Sequence, residues 1–467
     1  MRKSVTFSLL SALLASACAT GPAYEPPAPP ADMADNFVTT DTAFDPAAPL
    51  PEAWWRLYDD PVLDDLVSQA LQANTDLRVA AANLEAARAV LSQAQAARLP
   101  STAVNGGVEY GDAVQTGFGA DAQWSERASA SVSWEADLFG RLRHAVDAAQ
   151  ANSEAVEAAR DAVRVTVAAE TTRAYLNACA YSQSLEVARQ SHETSRESLA
   201  LIEDRRQAGA VDDFDVERAA ARVATARAQI PFYSAQRDRS LLELAALLGR
   251  TPGNIPEAAR SCDAPSEPVA VLPIGDGTAL LRRRPDLRQA ERQMAAATAQ
   301  IGVATADLYP TVSLGGTGSF FRNDLVKGDD SFTFSLGPAV SWSLPNITSA
   351  RARLRQAEAQ GDAALATFDG KVITALKEVE QALATVSGEQ AQLDALKEAQ
   401  ERSERAYDLA DLKFRAGSIA YVDVLVAQAD LLSTRAAYTA SLQRLSSARV
   451  DLFRALGGGW QAEEAPA

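Results

Sequence analysis

Residues 141–208 read RLRHAVDAAQANSEAVEAARDAVRVTVAAETTRAYLNACAYSQSLEVARQSHETSRESLALIEDRRQA. Neither Pro nor Gly interrupts these 68 residues, and the good helix formers Ala, Glu, Arg, Leu and Gln dominate them. At about 1.5 Å rise per residue one helix of this length measures roughly 100 Å, against the ~10–14 residues of an ordinary globular helix. The run follows Trp134-Glu135-Ala136-Asp137-Leu138-Phe139-Gly140 and stops at Gly209. A second copy begins 208 residues later, at Trp342, and stops at Gly417. The same spacing pairs Asp215 with Asp423, Val216 with Val424, Arg227 with Arg435, Leu248 with Leu456 and Gly249 with Gly457. The chain is an internal duplication.

Working outward, each long helix (141–208 and 346–416) is followed by a Gly-containing turn and a returning helix (214–248 and 419–456). Pro231 is expected to kink the first returning helix, since it lacks an amide hydrogen. Ahead of each long helix lies a run of alternating character. Phe332, Phe334, Leu336, Pro338, Val340, Trp342 and Leu344 alternate with Thr333, Ser335, Gly337, Ala339, Ser341 and Ser343. Ala128, Ala130, Val132 and Trp134 alternate with Arg127, Ser129, Ser131, Ser133 and Glu135. Period 2 with one apolar face predicts β-hairpins over 101–137 and 311–345. Runs of about 11 residues match the ~9–11 that a tilted membrane-spanning strand needs, and the tryptophans suit an interfacial girdle. A soluble sheet packed on the helices is the alternative. Before the first hairpin a helical pattern runs from Pro61 to about Arg98, its counterpart in the second half being offset by 210.

The boundaries follow. Residues 1–17 form a signal peptide, with Arg2 and Lys3 ahead of an apolar core, and 18–51 a Pro/Ala-rich tether. The first repeat covers 52–260, an equatorial linker 261–273, the second repeat 274–457 and a C-terminal tail 458–467. Leu14-Ala15-Ser16-Ala17-Cys18 resembles a bacterial lipobox, which makes Cys18 a lipidation (palmitate-bearing) site, with Ala19 implying the outer membrane. A plain cleaved signal with a chance Cys is the other reading.

Acidic residues outnumber basic ones 61 to 44, for a net charge of −17, which argues against nucleic acid. Two histidines, His144 and His192, leave little for a metal site, and no cofactor is implied. The sequence holds no HExxH, no phosphate loop and no nucleophile elbow, so no enzyme is expected.

Four strands cannot close a barrel, since outer-membrane barrels need at least about 8. An open edge in lipid leaves backbone groups unsatisfied at several kcal/mol each. Two copies would supply eight strands and a tight, side-chain-filled pore, three would supply twelve, and the helices likewise need neighbours to bury their apolar faces. The fold class expected is an α+β membrane protein: long antiparallel helical hairpins forming an α-barrel tunnel, plus four β-strands given to a trimeric 12-stranded β-barrel.

At this point the chain resembles the outer-membrane efflux protein family, the channel-tunnels of tripartite pumps, in its lipid-anchored NodT or OprM-like branch. The likeness rests on Trp54-Trp55 with Asp60-Pro61, on Glu135 to Leu142, on Leu280-Leu281, Arg284-Pro285-Asp286-Leu287 and Ala290-Glu291, and on Gly457-Gly458-Gly459-Trp460. The resemblance implies a homotrimer that docks with a periplasmic adaptor protein and an inner-membrane transporter of the RND type, in contact with outer-membrane lipid. It also implies that the two helix turns form a periplasmic gate. Asp212, Asp213, Asp215 and Asp423 would lie there as threefold rings, repelling anions and attracting cations. Helix capping is the alternative role for Asp212 or Asp213. Members commonly lock the entrance with a Tyr and an Arg from the second turn. Phe414 and Ile419 stand at those positions and Val426 replaces an Asp, so Arg415, Tyr421 or Lys413 becomes the candidate donor, with Asp215 as the acceptor for Arg415. Cys179 and Cys262 form a candidate disulfide, two free thiols being the alternative. A type I protein-secretion channel and a non-conducting periplasmic coiled coil are the competing functions.

Overall fold

The computed structural model of the chain describes residues 20–27, 37–39, 41–111, 122–262, 271–324, 326–342 and 347–460. Cys18, residues 112–121 of the first hairpin, residues 263–270 of the linker and residues 343–346 lie outside them.

Each half carries the same order of elements. In the first, α1 (Pro61–Ala73) and α2 (Thr75–Ala96) precede the hairpin β2 (Ser101–Gly111) and β3 (Gln123–Ala136). The long helix α3 (Arg141–Gln207) and the returning helix α4 (Asp213–Leu247) follow. After a short helix α5 (Glu257–Arg260), the second half repeats the series: α6 (Gly277–Arg283), α7 (Pro285–Ala306), β5 (Thr311–Arg322), β6 (Phe332–Ser341), α8 (Ile347–Arg415) and α9 (Tyr421–Ala455). Two-residue strands β1 (Phe44–Asp45) and β4 (Leu272–Pro273) pair in parallel.

The expected single helix over 61–98 is two helices. Asn74 divides them: its extended backbone (ψ 135°) leaves the helix, and its Oδ1 accepts from the amides of Asp76 and Leu77 at 2.9 and 3.2 Å, capping α2. Its Nδ2 donates to the carbonyl of Leu247, the last residue of α4, at 3.0 Å. In the second half Arg284 stands 210 residues on, between α6 and α7, and its Nη1 donates to the carbonyl of Ala455, the last residue of α9, at 2.9 Å. Arg284 also pairs with Asp286 and Glu378, each at 2.8 Å. Helix α4 runs through Pro231 without interruption.

The chain divides into two compact units. The first comprises residues up to 28, 82–158 and 288–370, and holds the four-stranded antiparallel sheet in the order β2-β3-β5-β6. Helix α3 starts beneath β3 on a short, well-bonded junction. Asp137 accepts from the amides of Leu142 and Arg143 at 3.0 and 2.8 Å, satisfying orphan donors of the first turn. Arg141 forks onto Glu135 at 3.0 and 2.6 Å. The start of the tether is docked here. Thr20 donates through its amide and hydroxyl to the carbonyl of Phe139, and Tyr24 donates its hydroxyl to Glu291.

The second unit comprises residues 29–81, 159–287 and 371 onward, and contains the largest apolar core. Trp54 stacks on Phe453 at 4.6 Å and is wholly buried. The start of the expected C-terminal tail packs here: Trp460 is buried and donates Nε1 to the carbonyl of Arg283 at 2.7 Å. Gly458 lies so close to Trp54 and Leu50 that a Cβ would meet them at 2.6 and 2.7 Å. The tether is anchored in the same core through Phe37, Phe44 and Leu50, which are buried there. The Pro- and Ala-rich composition masks three well-spaced apolar anchors.

The segments that lead into the two repeats cross the long helices reciprocally. The segment before the first repeat lies on α8: the amides of Val38 and Thr39 donate to Glu380 at 2.6 and 3.0 Å, and Ser387 donates to Asp41 at 2.7 Å. The segment before the second repeat is joined to α3 by a disulfide between Cys262 and Cys179. Cys179 and Ser387 stand 208 residues apart, at equivalent places in the duplication.

Candidate functional site

Two regions stand out among the described residues. The first is the sheet. Its register aligns even-numbered residues across all four strands: Val104 with Ala130, Ala130 with Gly318, Val132 with Gly316, Val312 with Val340 and Gly316 with Leu336. That face is apolar and open, with Val104 83% and Phe334 91% exposed. The odd-numbered face holds Ser129, Ser131, Ser133, Thr317, Ser319 and Ser335 around an Arg127–Glu109 ion pair. Among the described residues the outer edges of β2 and β6 have no partner strand.

Aromatic residues bound the apolar face. Trp134 and Trp342, 208 apart, each donate Nε1 to a carbonyl at the end of the preceding helix, Arg98 at 3.0 Å and Leu308 at 3.3 Å. Toward the other end of β3, Trp124 sits opposite Tyr110 with ring centroids 5.2 Å apart. From Trp134 to Trp124 the strand rises roughly 33 Å at ~3.3 Å per residue, or about 25 Å of height at a ~40° tilt, the thickness of an outer-membrane apolar band.

The second region is the pair of helix turns. Gly209 (φ 74°) and Gly417 (φ 73°) adopt left-handed backbone that favours glycine. Each closes its helix with the same two bonds: Gly209 and Ala210 donate to Arg206 and Arg205, and Gly417 and Ser418 donate to Phe414 and Lys413. Between the turns lies a small core of Ile202, Phe414, Tyr421, Val424 and Leu425, with Ile419 packed against it.

The acidic residues do several things. Asp212 caps α4, accepting from the amide of Asp215 at 3.2 Å, and Asp213 pairs with Arg206 at 2.7 Å. Asp423 is exposed and lies in the first turn of α9, where a carboxylate suits the helix dipole. Arg415 holds Asp411, one turn back on its own helix, at 2.8 Å, and makes no bond to Asp215 within the chain. Four residues apart on one helix, Asp411 is the nearer acceptor.

Of the contacts that join the turns, sequence reasoning named Tyr421 as a candidate donor and missed Arg205, the Phe414 ring and Gln428. The Arg205 guanidinium lies 3.9 Å from the centre of the Phe414 ring, and the Phe414 and Tyr421 rings are 5.0 Å apart. Tyr421 donates its hydroxyl to the Ser198 carbonyl at 3.3 Å, and Gln428 donates to the Ser198 hydroxyl at 3.2 Å. Burial pushes the Tyr421 phenol above its ordinary range, although the Ser198 bond works against this. The absence of a hydroxyl at 414 thus leaves a ring face for a cation in place of a hydrogen bond.

Comparison with known proteins gives a consistent result. The family model described as outer membrane efflux protein matches residues 66–250 and again 278–458, one match to each repeat. Outer membrane protein OprJ of Pseudomonas aeruginosa is 33% identical over 474 aligned residues, 97% of this chain and 95% of OprJ. Nodulation protein T of Rhizobium leguminosarum bv. viciae is 30% identical over 457, covering 96% and 92%. Among solved structures, the outer-membrane channel OprN superposes with a TM-score of 0.87 at 36% identity, covering 95% of this chain and all of that one.

Proposed function

The chain belongs to the outer membrane efflux protein family, and we propose that three copies close into one channel whose periplasmic entrance is formed by the two helix turns. It is the outer-membrane component of an efflux pump, working with an adaptor and an inner-membrane transporter. One observation carries the trimeric reading: a four-stranded sheet with an open apolar face and two unpaired outer edges. Lipid offers no hydrogen bonds to such edges, so β2 of one copy pairs with β6 of the next. Three sheets make twelve strands, with the Ser- and Thr-rich face turned to the lumen. Conduction is passive and involves no catalytic step. Cys18 carries the lipid anchor.

In this reading Asp212, Asp213, Asp215 and Asp423 ring the entrance as fixed negative charge, Asp212 and Asp213 having structural duties besides. The Arg205–Phe414–Tyr421 contacts keep the two turns together in the resting state. The test is reconstitution of the purified full-length protein in planar bilayers. Discrete channels from a species with three times the chain mass are expected. A monomeric species, or a trimer without conductance, overturns the reading.

A further inference from the structure

The two reciprocal straps are fastened differently. On α8 the segment 37–45 is held by hydrogen bonds to Glu380 and Ser387, which form and break freely. On α3 the segment that includes α5 and β4 is held by a covalent bond, Cys262 to Cys179, that must be made by an oxidation after export. The surroundings of the two sulfurs differ. Cys179 is 0% exposed, shut into the core with Tyr175 and Leu176. Cys262 is half-buried at the rim, after the exposed residues Arg260 and Ser261.

Thiol–disulfide exchange requires a thiolate to approach a disulfide sulfur in line, through a mixed disulfide with the oxidant. A sulfur enclosed in the core cannot meet one from outside. We propose that Cys262 is the entry cysteine and Cys179 the resolving one, and that a dithiol oxidase of the periplasm supplies the oxidising disulfide once the helices around Cys179 have packed. The Cys262 thiolate attacks the oxidant disulfide, forming a mixed disulfide and releasing one oxidant thiolate. Cys179 loses its proton and its sulfur attacks Cys262 Sγ, which breaks the mixed bond and releases the second oxidant thiolate. The two protons lost by the cysteines are taken up by the two oxidant thiolates, so the oxidant leaves as a dithiol that carries the two electrons. The bond is therefore a late fastening of one strap, with no counterpart on the other repeat, where Ser387 stands at the position equivalent to Cys179.

The order is testable on full-length protein that has been reduced, desalted and exposed to oxidised glutathione, followed by intact mass and peptide mapping. Cys179→Ala should accumulate a stable glutathione adduct on Cys262. Cys262→Ala should react at least tenfold more slowly until urea opens the core. Reduced wild type, quenched with acid, should show a transient adduct at Cys262 alone, which keeps the test valid if a variant fails to fold. Equal reaction of both variants in native buffer, or a transient adduct at Cys179, overturns the order. In cells lacking the periplasmic dithiol oxidase, both cysteines should be free thiols, Cys262 alkylatable in the native protein and Cys179 once urea has opened the core. A fully formed bond in that strain overturns the assignment of the oxidant.

Discussion

Asn74 and Arg284 occupy the same place in the two halves of the chain, and each donates a side-chain hydrogen bond to the last carbonyl of a returning helix, Leu247 and Ala455. The duplication has kept the bond and changed the side chain that makes it. Arg284 has gained ion pairs with Asp286 and Glu378 that Asn74 cannot form.

The two sites should therefore respond unequally to truncation. Asn74→Ala removes a helix cap and should cost about 1–2 kcal/mol. Arg284→Ala strands a half-buried carboxylate, and with Glu378 remaining 44% exposed we expect a loss of about 2–3 kcal/mol, below the ~3–5 of a wholly buried pair. Melting midpoints at one scan rate decide this. Equal shifts would show that the ion pairs add nothing.

At the turns, a cation–π contact contributes roughly 0.5–2 kcal/mol per chain. Arg205→Ala should raise single-channel conductance and sensitise cells to large antibiotics, while Arg205→Lys should keep part of the closure. Arg415→Ala should do less, because an exposed pair with Asp411 contributes about 0–1 kcal/mol. The opposite ranking in bilayer recordings would move the lock to Arg415. A double variant with Asp215→Ala would then test whether the bond crosses between chains.

Acid should weaken both units. Burial opposes the charge on Asp286, yet Arg284 outweighs it and holds the carboxyl below its ordinary range. Glu291 is held down in the same way, with Arg292 and Tyr24 overcoming burial. Groups with lowered folded values stabilise above their unfolded values, near ~3.9 for Asp and ~4.3 for Glu, and lose that contribution as pH falls through the folded ones. Unfolding midpoints should be flat from pH 7 to about 5 and fall below about 4. Asp286→Asn should lower the plateau and shrink the acid step; an unchanged step would assign it to other carboxylates.

Labelling with radioactive palmitate should mark wild type and miss Cys18→Ser, which should still fold. Label retained in the variant would place the lipid elsewhere.

Gly458→Ala forces a Cβ to within 2.6 Å of Trp54. Overpacking of a filled core costs about 1–3 kcal/mol, and the loss should show as reduced trimer yield. A variant as stable as wild type would mean that Trp54 can shift.

The duplication, the long helices, the hairpins and the turns are legible because they rest on spacing, propensity and period, all local quantities. The break at Asn74 left a faint local sign in Asn74-Thr75-Asp76, which reads as a cap but sits inside a helical run. The Arg205–Phe414 contact left none: it pairs residues more than two hundred apart on different hairpins, and only packing brings them together. A missing Tyr at 414 reads in sequence as a lost bond, whereas the structure has a different one in the same place. The first strap was hidden because its apolar anchors Phe37, Phe44 and Leu50 carry no periodicity, whereas the fastening of the second was legible as the Cys179–Cys262 pair.

Those straps limit how the chain can be divided. A cut between Arg250 and Pro256 would separate two halves of similar plan, but each would carry away the segment that fastens the other's long helix. The first fragment would hold the Asp41 segment and lack α8, and the second would hold Cys262 and lack α3. Such fragments should regain function only when expressed together. A gene duplicated in this way cannot readily return to coding for two independent proteins.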